Sequence, residues 1–194
     1  MARVSERKKI DIFLGNQEKG LQDYFGLLPE LLDNISSSEP ALAYCFQRIE
    51  MAQRNGLYAL LMREYRTDSS LSWDAIDAIH ISRKSFPEHF QVISGKQLPN
   101  KIRDIIAPAE AVRDAIMHGR YEAKAEVHRA IFKCLTYAEE VNKQFQKKVG
   151  FKPFGPLRGV TSRRGKPQLD EKISKAVLSG LKLSLFDVER KRVP

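Results

Sequence analysis

A chain of 194 residues that is 42% hydrophobic and 29% charged, with a net charge of +9, has the length of one ordinary domain and enough apolar residues to bury a core. No apolar run reaches the ~18–20 residues needed to span a bilayer, and residues 1–9 lack the hydrophobic stretch of a signal peptide, so no membrane partner is expected. Two cysteines, Cys45 and Cys134, lie far apart in helical apolar patterns and are too few for a zinc site; reduced, buried thiols and a cytoplasmic location are expected.

Helical periodicity dominates and no alternating run reads as a strand, so the expected fold class is all-α. The expected organisation is a short N-terminal extension (residues 1–36), a helical core (37–150), and a basic loop with a C-terminal helix packed on the core (151–194). Residues 1–16 read as a frayed basic lead-in. Apolar spacing from Glu18 to Leu32 is weakened by Gly26 and Pro29. Ser36-Ser37-Ser38 is a breaker, and Ser38-Glu39-Pro40 opens a long helix to about Tyr65 on Leu42, Cys45, Phe46, Ile49, Leu57, Leu60 and Leu61. Gly56 inside it costs ~1 kcal/mol relative to alanine. Ser72 is the predicted cap of a helix bearing Trp73, Ile76, Ile79 and His80, which Ser85-Phe86-Pro87 ends, and an irregular piece runs on through Pro99. Ile102 to Ile106 reads as a turn or two of helix, and Pro108 restarts the chain as a short helix to His118. Tyr121 to Val149 is a long amphipathic helix closed by Gly150. After a loop over 151–168, Gln168-Leu169-Asp170 introduces a last helix to about Leu183.

The charge is uneven. Residues 1–100 hold 12 Lys/Arg against 13 Asp/Glu, whereas residues 101–194 hold 21 against 11. From Val141 to Leu169 the basic residues Lys143, Lys147, Lys148, Lys152, Arg158, Arg163, Arg164 and Lys166 occur with no acid between them. Such asymmetry suits a polyanionic partner, nucleic acid first, with Lys152, Arg158, Arg163, Arg164 and Lys166 as the binding residues; a merely solvating surface is the alternative. Phe151 and Phe154, interleaved with these cations, either stack on a nucleic-acid strand or are buried as the loop wraps the bundle.

The segment Arg113-Asp114-Ala115-Ile116-Met117-His118 carries the most chemistry. On a helical wheel Glu110, Arg113, Asp114, Met117 and His118 share one front, while Val112, Ala115 and Ile116 form an apolar back. Asp114 and His118 are i, i+4 neighbours, close enough for a hydrogen bond that fixes the ring. Arg113 and His118 straddle the face, some ~7 Å apart along the axis, and cannot touch. Gly119 places His118 at the helix end.

An arginine, a polar residue, a short gap and a histidine, on a helix followed by a longer one, resemble the HEPN superfamily of all-α nucleases. Arg113, Asp114 and His118 match that signature residue by residue, and the resemblance covers residues ~39–150. It implies a homodimer in which two motif helices meet across a two-fold axis, so that Arg and His from both chains converge on one phosphate. It implies RNA cleavage that needs no metal or cofactor: the ribose 2′-OH attacks phosphorus, His118 moves the proton, Arg113 binds the phosphate, and Asp114 orients His118. The context it implies is that of a toxin or antiphage effector, with an antitoxin protein as a further partner. The alternative function is a non-catalytic helical module that binds nucleic acid or a partner protein. Glu110, Asp114 and His118, spaced four apart, leave a divalent-metal stripe as a further reading. His80 reads as a core or boundary residue, and His89 and His128 as solvated surface.

Overall fold

In the computed structural model, which describes residues 5–34, 37–82, 85–156 and 167–183, every regular element is a helix. The chain order is α1 (Glu6–Gly15), α2 (Lys19–Tyr24), α3 (Leu28–Asn34), α4 (Glu39–Leu60), α5 (Ser69–Ala78), α6 (Ser85–Ser94), α7 (Lys101–Met117), α8 (Lys124–Val149) and α9 (Glu171–Gly180). The all-α expectation is met. Among the described residues no helix is long and apolar enough to cross a membrane.

The centre of the bundle is α8, against which α1, α4 and α7 pack. Its buried stripe (Val127, Ile131, Cys134, Leu135, Ala138, Val141 and Phe145) recurs at three- and four-residue intervals and supplies one side of the core. The long helix α4 brings Leu42, Cys45, Phe46, Ile49, Ala52 and Leu57 from the other side. It runs on through a π-helical turn, Leu61–Tyr65, so the helical stretch reaches the residue expected. Arg66 then adopts a left-handed conformation with φ 56°. Its backbone oxygen accepts from Leu169 N–H at 2.8 Å and its guanidinium donates to Pro167 O at 2.8 Å, which ties the approach to α9 onto the end of α4.

Gly56 stands where α4 meets α8. A Cβ there would lie 3.2 Å from both Phe145 Cε1 and Pro153 Cβ. The Phe145 ring is itself held by Phe86, Phe90 and Phe151, so it has no room to give. The weakened helix propensity at this position is the condition for close packing of α8 and the chain that follows it.

Four local expectations are corrected, and one choice between two readings is settled. Residues 6–15 form a capped helix, with Ser5 Oγ accepting from Lys8 N–H, and bury Ile10 and Leu14 while Phe13 meets Phe132 edge-on at 5.2 Å. Asp68, not Ser72, caps α5 by accepting from Leu71 N–H at 2.9 Å. Ser72 is buried, sharing a 2.7 Å hydrogen bond with Thr67. Pro87 opens α6 instead of ending its predecessor, because a proline in a first turn forfeits no helical bond; Phe86, Phe90 and Ile93 are its buried face.

Pro108 lies inside a continuous α7. An interior proline costs about 3 kcal/mol, but its ring is exposed to solvent, and Ile102, Ile106 and Ala109 continue the buried stripe across it. Packing on α8 therefore carries the helix through the break. Finally, Phe151 and Phe154 are buried, so the reading of them as a stacking platform is excluded. Phe154 packs edge-on against Tyr24 and Tyr137, and Asn142 clasps its backbone, accepting from its N–H and donating to its C=O, both at 2.9 Å.

Candidate functional site

The motif occupies the last turn of α7. Val112 and Ile116 pack against the core, so the apolar back faces inward as the wheel requires. The helix stops at His118: Gly119 takes φ +73°, its N–H bonds Ile116 O at 2.9 Å, and Arg120 N–H bonds Ala115 O at 3.0 Å. This paired closure is a Schellman motif and needs a residue without a Cβ at the left-handed position. Residues 117–121 are all exposed. Met117, at 78% exposure, and Tyr121, at 88%, flank His118 as unusually bare apolar side chains.

Asp114 does not bond the His118 ring. Its Oδ1 accepts from Arg113 Nε at 3.1 Å and from a terminal guanidinium nitrogen of Arg113 at 2.9 Å. The arginine stem is long enough to curl back to its sequence neighbour, and that pairing wins over the i, i+4 geometry. The Arg113 guanidinium also lies 4.5 Å over the Phe46 ring of α4, a cation–π contact. Arg113 is thereby held from two sides with other N–H donors unspent. No contact joins Arg113 to His118, in keeping with their positions on opposite sides of the helix face.

Beside Arg113 lies a cavity of about 170 Å³, between α4, α7 and the connection from α5 to α6. Glu50, Gln53, His80, Ser82, Glu110 and Arg113 supply its polar lining; Phe46, Ile49, Ile81 and Ile106 supply the apolar part. Gln53, itself buried, donates to Tyr137 Oη at 2.7 Å, which fixes the cavity floor to α8. His80, read from sequence as core or boundary, is an exposed lining residue; no spacing in the chain links it to Arg113. Among the described residues no three His, Cys, Asp or Glu side chains converge to hold a metal ion. Burial pushes the Cys45 and Cys134 thiols up, so neither is a nucleophile near neutral pH.

Lys152 is placed elsewhere. The 26 residues of α8 span about 39 Å at 1.5 Å per residue; His118 adjoins one end of that helix and Lys152 follows the other. Lys152 is ion-paired with Glu18, and Lys143 with Glu139 at 2.7 Å. An acid-free stretch of sequence is thus not an acid-free surface, since Glu18 comes from the N-terminal part of the chain. Arg158, Arg163, Arg164 and Lys166 lie outside the described residues.

His128 is not solvated surface. It is 7% exposed and shares a 2.9 Å hydrogen bond with Ser38 Oγ. Burial lowers its pKa, reinforced by Lys124 and Arg7 and partly opposed by Glu6 and Asp11; burial lowers that of His89 too. Because the folded ring is the weaker base, the unfolded chain takes up the proton first as pH falls through ~6.5. The stability that these two rings contribute is therefore constant above that pH and lost below it. The melting temperature should fall from pH 7 to pH 5, and His128→Gln should flatten that slope; an unchanged slope would assign the effect to His89.

Comparison with protein-family models, characterised proteins and solved structures gives no match for this chain.

Proposed function

We propose that this chain is a metal-independent endoribonuclease of the HEPN type, acting as a homodimer. The observation that carries the reading is the end of α7: an exposed His118, five residues beyond a held Arg113, between the bare apolar side chains of Met117 and Tyr121. These two side chains leave His118 on a face that a second copy can cover, and that copy would bring its own Arg113 and His118 to the same place. In this reading the substrate ribose 2′-OH attacks the adjacent phosphorus, His118 moves the proton, and the Arg113 fork stabilises the growing phosphorane charge. Asp114 orients Arg113, the role its hydrogen bonds support, in place of the His118 contact expected from spacing. DNA lacks the attacking hydroxyl and is refractory. A toxin or antiphage role, with an antitoxin protein as partner, belongs to the same proposal.

The engagement of Arg113 by Asp114 and Phe46 favours a second reading, a non-catalytic module binding nucleic acid or a partner protein, in which Arg113 is structural. Mixing separates the two. Arg113→Ala and His118→Ala homodimers are each expected to be inactive. An equal mixture should regain up to about half of the original cleavage, since half the dimers are mixed and each of these keeps one Arg113 and one His118 at the shared site. A mixture as inactive as its parts, or a chain that sediments as a monomer at micromolar concentration, would overturn the composite site.

A further inference from the structure

We propose that the cavity beside Arg113 is a guanine pocket that receives the base next to the scissile phosphate. The inference takes its ligand class, RNA, from the ribonuclease reading. About 170 Å³ corresponds to five or six water volumes at ~30 Å³ each. That is well below the ~300–1,000 Å³ of pockets for drug-sized ligands, so one planar ring system fits and a whole nucleotide does not. A base seated there leaves its sugar and phosphate at the mouth.

The lining selects among bases. Glu50 and Glu110 bring carboxylate acceptors into the lining, beside the apolar side chains of Phe46, Ile49 and Ile106. Guanine is the one RNA base with two adjacent N–H donors, N1 and the N2 amine, that pair with one carboxylate. Adenine and cytosine place a ring acceptor beside their amine, and uracil has a single N–H. Against a carboxylate each of the three leaves an unmatched lone pair. The apolar part of the lining favours a flat ring system there, and an unstacked base is then read by its edge.

The connection to the motif is Arg113 itself, which lines the cavity and belongs to the segment that ends at His118. A guanine in the pocket therefore brings an adjoining phosphate to the arginine assigned to bind it. His80 and Ser82 stand on the connection between α5 and α6, where they add donors at the rim.

The test is a titration of methyl-labelled protein with GMP, AMP, CMP and UMP, read at Ile49, Ile81 and Ile106. The four share a phosphate, so any difference reports the base. GMP is expected to shift these methyls at concentrations at least about 10-fold lower than the other three. Glu50→Gln or Glu110→Gln, which puts a donor opposite a donor, should weaken GMP alone by about 10- to 100-fold. Glu50 is exposed, so its replacement tests binding with the fold intact. Equal responses to all four, no response at millimolar concentration, or GMP binding unchanged in both variants would overturn the pocket. Cleavage without preference for guanosine sites would overturn it as well and leave the ribonuclease reading standing. GMP binding without RNA cleavage would do the reverse.

Discussion

Replacing His118 with alanine is expected to slow RNA cleavage by about 10²- to 10⁴-fold, the range of a lost general acid–base catalyst, with no change in melting temperature. The side chain is exposed and bonds nothing in the described residues, so its removal costs the fold almost nothing. Arg113→Ala should lower the rate by a similar factor, because the fork that meets the transition-state charge is gone. It should also cost a small amount of stability, since the guanidinium covers the Phe46 ring. Arg113→Lys is the sharper variant: it keeps the charge and loses both the planar fork and the double bond to Asp114. Its rate should stay close to that of the alanine variant. Excess chelator should leave the unmutated protein as fast as before, measured by gel on labelled RNA. Cleavage that survives His118→Ala would remove the imidazole from the mechanism, and loss of cleavage in chelator would move the chemistry to a metal.

The second large effect is on stability. Phe154→Ala should destabilise the protein by about 3–5 kcal/mol, the usual cost of emptying a buried phenylalanine site. The ring is 1% exposed and lies among Tyr24, Phe25 and Tyr137, at centroid distances of 5.5, 6.2 and 6.2 Å. Those partners come from α2 and the turn after it, and from α8. The one side chain therefore pins the N-terminal helices to the centre of the bundle. The two hydrogen bonds between Asn142 and the Phe154 backbone hold it there, and a loop so fastened cannot shift to fill the space the ring leaves. At about 2–4 °C per kcal/mol for a chain of this size, the melting temperature should drop by roughly 10 °C. Urea denaturation checks the free energy directly. A loss below ~1 kcal/mol would mean that the segment after α8 does not dock as described.

The helical class, the long α4 and α8 with Gly150 at the end of α8, and the inward back of the motif helix are all legible in the chain alone. Each is a local property: a 3.6-residue period, a glycine at a left-handed stop, an apolar stripe. The α1 helix was legible in the same way, since Ile10, Phe13 and Leu14 stand at helical spacing and Ser5 precedes them; the surrounding lysines and arginines masked the stripe. Pro108 and Pro87 misled because a proline reads as a break in isolation, whereas packing on α8 or a place in the first turn removes its cost. The partners of the candidate site come instead from folding. Asp114 turns to Arg113 and not to His118, Phe46 comes from the earlier helix α4 to support the guanidinium, and Glu50, His80 and Glu110 meet around one cavity. The same holds for the basic tail, where Glu18 neutralises Lys152 and the phenylalanines face inward. The motif can be read from the chain because its spacing is fixed by one helix. Its charge balance and its pocket are set by elements distant in sequence, and these meet only when the core forms.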